Sequence, residues 1–286
     1  MSFSSDVKAE LAKQFGRSRH CQLAELAGML EMEGKLEPDT GRLILDTDNP
    51  LLKEKYEVLL QKAFGTEQRE NILETLRWDG DAEGTIPINE RRTNGLMIQQ
   101  MCCKRAFLRG AFMAAGSISD PNKSYHFEIV CRTMEQAGQL QEQMEYFDAE
   151  AKIVERKDRF VLYLKEGSQI VDMLNVMEAY VSLMNLENVR ILKEMRNSVN
   201  RKVNCETANI HKTVSAAVKQ IEDIKKIQKT IGFEHLPYAL AEMAQVRLDY
   251  PEATLKELGS YLDPPVGKSG VNHRLRKLAE IAEKIS

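Results

Sequence analysis

Two acids, Glu31 and Glu33, stand near the end of the run LAELAGMLEMEG, residues 23 to 34, which also carries the small residues Ala24, Ala27 and Gly28. Carboxylates at a helix end hold a divalent cation against phosphate only if a second carboxylate arrives from elsewhere. Near the other end of the chain, between Pro264 and Ala279, lie four basic residues and no acid. Basic side chains on one helix face neutralise phosphates and read base edges. A third set, the five cysteines Cys21, Cys102, Cys103, Cys131 and Cys205, is odd in number and holds no C-x-x-C spacing. That argues against a disulfide framework and a zinc ribbon. His20 beside Cys21, and His126 near Cys131, read as surface imidazoles next to structural thiols, so neither a metal nor a cofactor is assigned.

The elements that position these residues follow from spacing. Aligning Leu26-Ala27-Gly28 with Leu108-Arg109-Gly110 brings Gly34 onto Gly116 at the same offset of 82 residues. Strand-like runs follow each copy, LILD at 43 to 46 and YHFEIV at 125 to 130, then a helical pattern, then further strand-like pieces. These pieces are TLRW (75 to 78) and GTIPI in the first copy, and AKIVE and RFVLYL (159 to 164) in the second. The front of the chain thus reads as a duplicated helix, strands, helix, strands. Glycine inside a helix costs about 1 kcal/mol relative to alanine. Gly28 and Gly110 therefore imply two helix backbones in close approach near a pseudo-two-fold axis.

Beyond residue 185 the strand signal stops. A helical connector is expected over 188 to 204, with Leu192, Met195, Val199 and Val203 on one stripe. A second helix is expected from Asn209 to Ile231, with Val214, Val218, Ile221 and Ile224 facing inward and Gly232 as its cap. Asn204 and Asn209 suit caps between these helices. Three more helices are expected at 236 to 249, 255 to 262 and 270 to 285. Thr254 and Glu257 form a capping box at the second, and Ser269 caps the last. On that last helix Val271, Leu275, Leu278 and Ala282 share one face, and the polar residues point away from it.

The polar face has the composition of a recognition helix in a helix-turn-helix. Asn272, His273 and Arg276, with Ser269 at the entry, are assigned to base edges, and Lys268, Arg274 and Lys277 to phosphates. The turn from Asp263 to Lys268 is longer than the usual three or four residues. Net charge is −3 overall, but residues 186 to 286 carry 17 Lys and Arg against 13 Asp and Glu, whereas residues 1 to 185 carry 23 against 30. A polyanion would be gripped by the rear part. The basic residues expected on the front strands, Arg42, Arg77, Arg91, Arg92, Lys152, Arg156 and Arg159, are interspersed with acids, which leaves DNA and protein partners both open.

The motif LAGMLEMEG at 26 to 34 resembles the LAGLIDADG motif of homing endonucleases, and LRGAFMAAG at 108 to 116 resembles a degraded second copy. In that family the eighth residue of each motif is an acid that holds a catalytic divalent ion. The matching positions here are Glu33 and Ala115, so the resemblance implies vestigial positions and no catalytic residue. Glu31 shares a helix with Glu33, and Asp120 lies in a turn, so neither replaces the missing acid.

Longer strings, SFSSDVKAEL at the start, RAFLRGAFMAAGSISDP, VNCETANIHKTVSAA and LDPPVGKSGVNHRLRKL, resemble the WhiA family of bacterial sporulation and cell-division regulators. The resemblance implies an α+β LAGLIDADG-like saddle followed by an all-α helix-turn-helix domain. The expected divisions are 1–185 (repeats of about 1–100 and 101–185), a helical connector at 186–207, and a DNA-binding domain at 208–286. It implies a non-enzymatic, sequence-specific transcriptional regulator acting in cell division, chromosome segregation or sporulation. Double-stranded DNA at promoter regions is the expected partner, with other transcription regulators or RNA polymerase as further candidates. No membrane partner is expected, and the expected place is the cytoplasm, at the nucleoid. An active endonuclease and a cell-division adaptor acting through protein contacts are the alternatives.

Overall fold

The computed structural model describes residues 2–37, 43–65, 72–79 and 86–285. Two compact units divide between Glu194 and Met195. The first unit opens with α1 (Phe3–Leu11), held by a capping box at Ser2, and then repeats one theme. In the first copy α2 (Arg19–Glu33) leads into β1 (Gly34–Leu36), β2 (Leu43–Leu45), α3 (Pro50–Phe64), the short α4 (Ile72–Thr75), β3 (Trp78–Asp79) and β4 (Arg92–Thr93). In the second, α5 (Met101–Ala115) leads into β5 (Gly116–Ile118), β6 (Phe127–Cys131), α6 (Met134–Glu145), β7 (Lys152–Arg156) and β8 (Arg159–Leu164), followed by α7 (Gly167–Val176).

Each motif helix runs directly into a strand that pairs antiparallel with the next one, Gly34 opposite Leu45 and Gly116 opposite Ile129. The second copy completes an antiparallel four-stranded sheet in the order β5-β6-β8-β7. Strand alternation buries Phe127, Ile129 and Cys131 against the helices. TLRW is only partly a strand: Thr75 ends α4, and pairing begins at Trp78. Of GTIPI, Gly84 and Thr85 lie outside the described residues, and Ile88 opens a 3-10 turn. Arg42 also lies outside them.

Gly28 and Gly110 are used as their spacing implied. A Cβ on Gly28 would sit 2.3 Å from the Phe107 carbonyl oxygen, and one on Gly110 would sit 2.2 Å from that of Glu25. Since Glu25 and Phe107 are themselves 82 residues apart, the two contacts are related by the duplication. Around this crossing lies a buried ion-pair network. Arg109 donates to both oxygens of Glu25 (2.9 and 2.8 Å) and to Glu178 (2.8 Å), while Lys55 lies 2.6 Å from Glu25.

The expected break between connector and second helix does not occur. One helix, α8 (Tyr180–Thr230), runs for 51 residues, and Asn204 and Asn209 lie inside it rather than capping anything. Interior asparagine costs only a fraction of a kcal/mol, too little to stop a run that holds no glycine and no proline. Its start belongs to the first unit, where Leu186 is buried and Lys193 donates to the Pro121 carbonyl. Val214 and Val218, expected inward, are exposed; burial in the second unit begins at Ile224 and Ile227. Gly232 ends the helix at φ +78°, its N–H on the Ile227 carbonyl. The second unit then adds α9 (Tyr238–Asp249), α10 (Leu255–Ser260) and α11 (Lys268–Lys284) around a core of Leu240, Met243, Leu258, Leu262, Val271 and Leu275. No helix among the described residues is long and apolar enough to cross a membrane.

Candidate nucleic-acid interface

Thr254 starts α10 through the expected capping box: its hydroxyl accepts from the Glu257 N–H (3.4 Å), and the Glu257 carboxylate accepts from the Thr254 N–H (2.8 Å). That second bond holds the Glu257 pKa below the ordinary carboxylate value. The chain then turns back on α10. Val266 N–H donates to the Gly259 carbonyl at 2.9 Å, and a Cβ on Gly259 would meet the Val266 oxygen at 2.0 Å. Only glycine admits so close a return. Leu262 is buried within the turn, which anchors it despite its length.

The last helix starts two residues earlier than expected. Gly267 is its N-cap and makes no side-chain cap bond, so Ser269 lies in the first turn instead of capping it. Val271, Leu275, Leu278 and Ala282 are buried, as their spacing required. Lys268, Ser269, Asn272, His273, Arg276 and Lys277 are exposed. Among the described residues Arg276 has only a long contact to Glu280 at 3.7 Å, both side chains being mostly in solvent. Such a pair contributes little and is easily exchanged for another anion.

Arg274 differs from the rest of the expected set. It is half-buried, 3.5 Å from the Glu242 carboxylate on α9 and 3.4 Å from the Ala239 carbonyl, and so fastens α11 to α9. Its spacing on the helix is the same as that of a phosphate ligand, but its acidic neighbour comes from a distant part of the sequence. Glu242, which sequence reasoning missed, also accepts from the Asp263 N–H at 2.8 Å. One carboxylate thereby holds both the turn and the last helix.

At the motif helices, Glu33 is half-buried and 3.7 Å from Arg132. Burial raises its pKa, against the lowering effect of Arg132, Arg159 and Lys8. The neighbouring Asp46 raises it too, so the position that matches a catalytic acid pairs with Arg132 and has charges of both signs around it. Across the pseudo-symmetry Ala115 offers no ligand atom, and Asp120 is folded into its own turn, accepting from the Asn122 N–H at 2.9 Å. Glu31 is fully buried and accepts from the Thr93 backbone N–H at 2.9 Å. Burial pushes its pKa up to about 7. Its role is to satisfy a buried amide, a reason for an acid that the sequence did not disclose.

His20, Cys21, Cys102 and Cys103, read from the sequence as unrelated, come together. Their ligand atoms all lie within 4.8 Å of one another. Among the described residues this is the one grouping of three or more His, Cys, Asp or Glu with that proximity; Glu33, with Asp46 nearby, is in no such group. The signal was the duplication itself: an offset of 82 maps His20 onto Cys102 and Cys21 onto Cys103.

An α+β unit built on two glycine-crossed motif helices, together with an all-α unit ending in a fastened helix-turn-helix, defines the class. It is a protein with a LAGLIDADG-like domain and a C-terminal helix-turn-helix domain. The family model for the WhiA LAGLIDADG-like domain matches residues 104–196, and that for the WhiA C-terminal HTH domain matches residues 199–282. A relative from Lachnoclostridium phytofermentans, named probable cell division protein WhiA, is 48% identical over 99% of both chains. One of the same name from Lachnospira eligens is 47% identical over 100% of this chain and 98% of its own. The chain belongs to the WhiA family. Its fold is also similar to the crystal structure of full-length DUF199/WhiA from Thermatoga maritima, with a TM-score of 0.58 at 23% identity, covering 100% of this chain and 99% of that one.

Proposed function

We propose that this protein is a non-enzymatic, sequence-specific DNA-binding regulator of transcription that acts in cell division, chromosome segregation or sporulation, at the nucleoid in the cytoplasm. The observation that carries the reading is the exposed polar face of α11, free of acids through its first three turns and backed by a buried aliphatic face. In the major groove Asn272, His273 and Arg276 read base edges, with Ser269 at the entry, and Lys268 and Lys277 lie on phosphates. Arg274 sets the angle of the helix through Glu242. Residues 208–286 carry the DNA contact, 186–207 connect, and 1–185 form the LAGLIDADG-like part. The names of the relatives support the cell-division setting. The Glu33 environment supports the absence of nuclease activity, because two-metal phosphodiester hydrolysis needs carboxylates from both motif helices.

The test begins with genome-wide crosslinking to find bound promoters, followed by anisotropy titrations of the full chain on those duplexes. Arg276→Ala should reduce the preference for the site over scrambled duplex by about 10-fold or more, equivalent to the roughly 1–3 kcal/mol of a base contact. Failure of the full chain to bind any duplex at low ionic strength would sink the proposal. DNA turnover with Mg²⁺ or Mn²⁺ that disappears in Glu33→Gln would replace it with the nuclease reading.

A further inference from the structure

Four soft donors crowd one point at the N-terminal ends of α2 and α5. His20 Nδ1 lies 3.2 Å from Cys103 Sγ, 3.4 Å from Cys21 Sγ and 4.0 Å from Cys102 Sγ. One imidazole nitrogen carries at most one proton, so it cannot make hydrogen bonds with three sulfurs around it. A single cation at the centre engages all four. With Zn–S near 2.3 Å and Zn–N near 2.05 Å, a tetrahedral ion sets donor–donor edges at about 3.5–3.8 Å, and the three nitrogen–sulfur distances fall on both sides of that range.

We propose that His20, Cys21, Cys102 and Cys103 form a structural Cys₃His zinc site that cross-links the two halves of the duplication. Three thiolates and an imidazole close the tetrahedron, which leaves no position for water or substrate and marks the site as structural rather than catalytic. The ligand set selects zinc among the common divalent ions, since magnesium and calcium require oxygen. Three thiolates around a divalent ion carry a net single negative charge. Arg17 and Arg105 line the adjoining open cleft of about 590 Å³ and complement that charge. The cleft also reaches His20, Cys21 and Cys102, which gives the ion its way in. Both ligand pairs sit in the first turn of their helices, and because burial and the neighbouring thiols push the Cys21 and Cys103 thiols up, it is the cation that would hold them as thiolates. Gly16 admits the preceding loop against the site, because a Cβ there would be 2.7 Å from the Cys21 Cβ.

The full chain, made without a histidine tag and purified under reducing conditions without chelator, should contain about one zinc per chain by elemental analysis. Replacement by Co²⁺ should give the strong visible absorption of a tetrahedral thiolate complex. Cys102→Ser and His20→Asn, both at exposed positions, should lower zinc content at least about 10-fold, and Cys205→Ser should leave it unchanged. Should either ligand variant fail to fold, the cobalt spectrum of the unmodified chain and the thiol reactivity of Cys102, slow with metal and fast after chelation, decide the matter. A metal-free chain that gives no cobalt–thiolate absorption, zinc retained in folded Cys102→Ser and His20→Asn, or a Cys21–Cys103 disulfide in place of metal would each overturn the site.

Discussion

Glu31 illustrates how a single buried carboxyl sets a pH dependence. Its pKa in the folded protein is about 7, raised from 4.5 by burial, and one oxygen has no hydrogen-bond partner among the described residues. Below pH 4.5 folded and unfolded chains both hold the proton. Between 4.5 and 7 the unfolded chain releases it while the folded chain keeps it, so this group lowers stability as pH rises through that window and has no further effect above it. The full span is on the order of 3 kcal/mol. Glu31→Gln keeps an acceptor for the Thr93 N–H and removes the titration. It is expected to be more stable than the unmodified chain by on the order of 2 kcal/mol at pH 8, with the advantage gone at pH 4.5. Trp78, the only tryptophan, sits on the strand paired with Thr93 and reports the transition in urea. Equal differences at the two pH values would show that Glu31 does not carry the effect.

At the scale of elements, the crossing of α2 and α5 depends on two missing side chains. Gly110→Ala should destabilise the first unit by about 3 kcal/mol or more, since its Cβ would press on the backbone of Glu25 rather than on a movable side chain. Gly138 is the control. It lies within α6 with nothing inside 4 Å of an added Cβ, so Gly138→Ala should be neutral or stabilising by up to about 1 kcal/mol. Denaturant midpoints of the two variants, read from Trp78, separate close approach from a general cost of alanine. The same logic governs Gly259, where the return of the turn onto α10 positions α11. Glycine spacing was legible in the chain because a backbone contact excludes every other residue type, and that exclusion recurs at a fixed offset.

Over the whole molecule, charge is divided. The 17 Lys and Arg among residues 186 to 286 outnumber 13 acids, while residues 1 to 185 are acidic by seven charges. Binding through the two phosphate contacts of Lys268 and Lys277 should therefore be salt-dependent, with a log–log slope of about −2. Lys277→Gln should weaken all duplexes alike and reduce that slope by about 1. Anisotropy titrations between low and physiological salt check both, and a flat salt response would remove the phosphate contacts from the account.

The sequence by itself determined the duplication, the glycine crossing, the capping box at Thr254 and the amphipathic last helix. Each depends on spacing within one segment or on a repeated offset, and the energies involved act locally. It also carried the family resemblance, through long strings that span the chain. The 82-residue offset also related His20 and Cys21 to Cys102 and Cys103, but the tertiary structure alone decided how near their donor atoms come, that Glu31 is buried on an amide, that Arg274 holds α9, and that Asn204 and Asn209 continue a helix. Those outcomes depend on which distant atoms burial brings within a few ångströms, and neither charge nor periodicity along one segment encodes that.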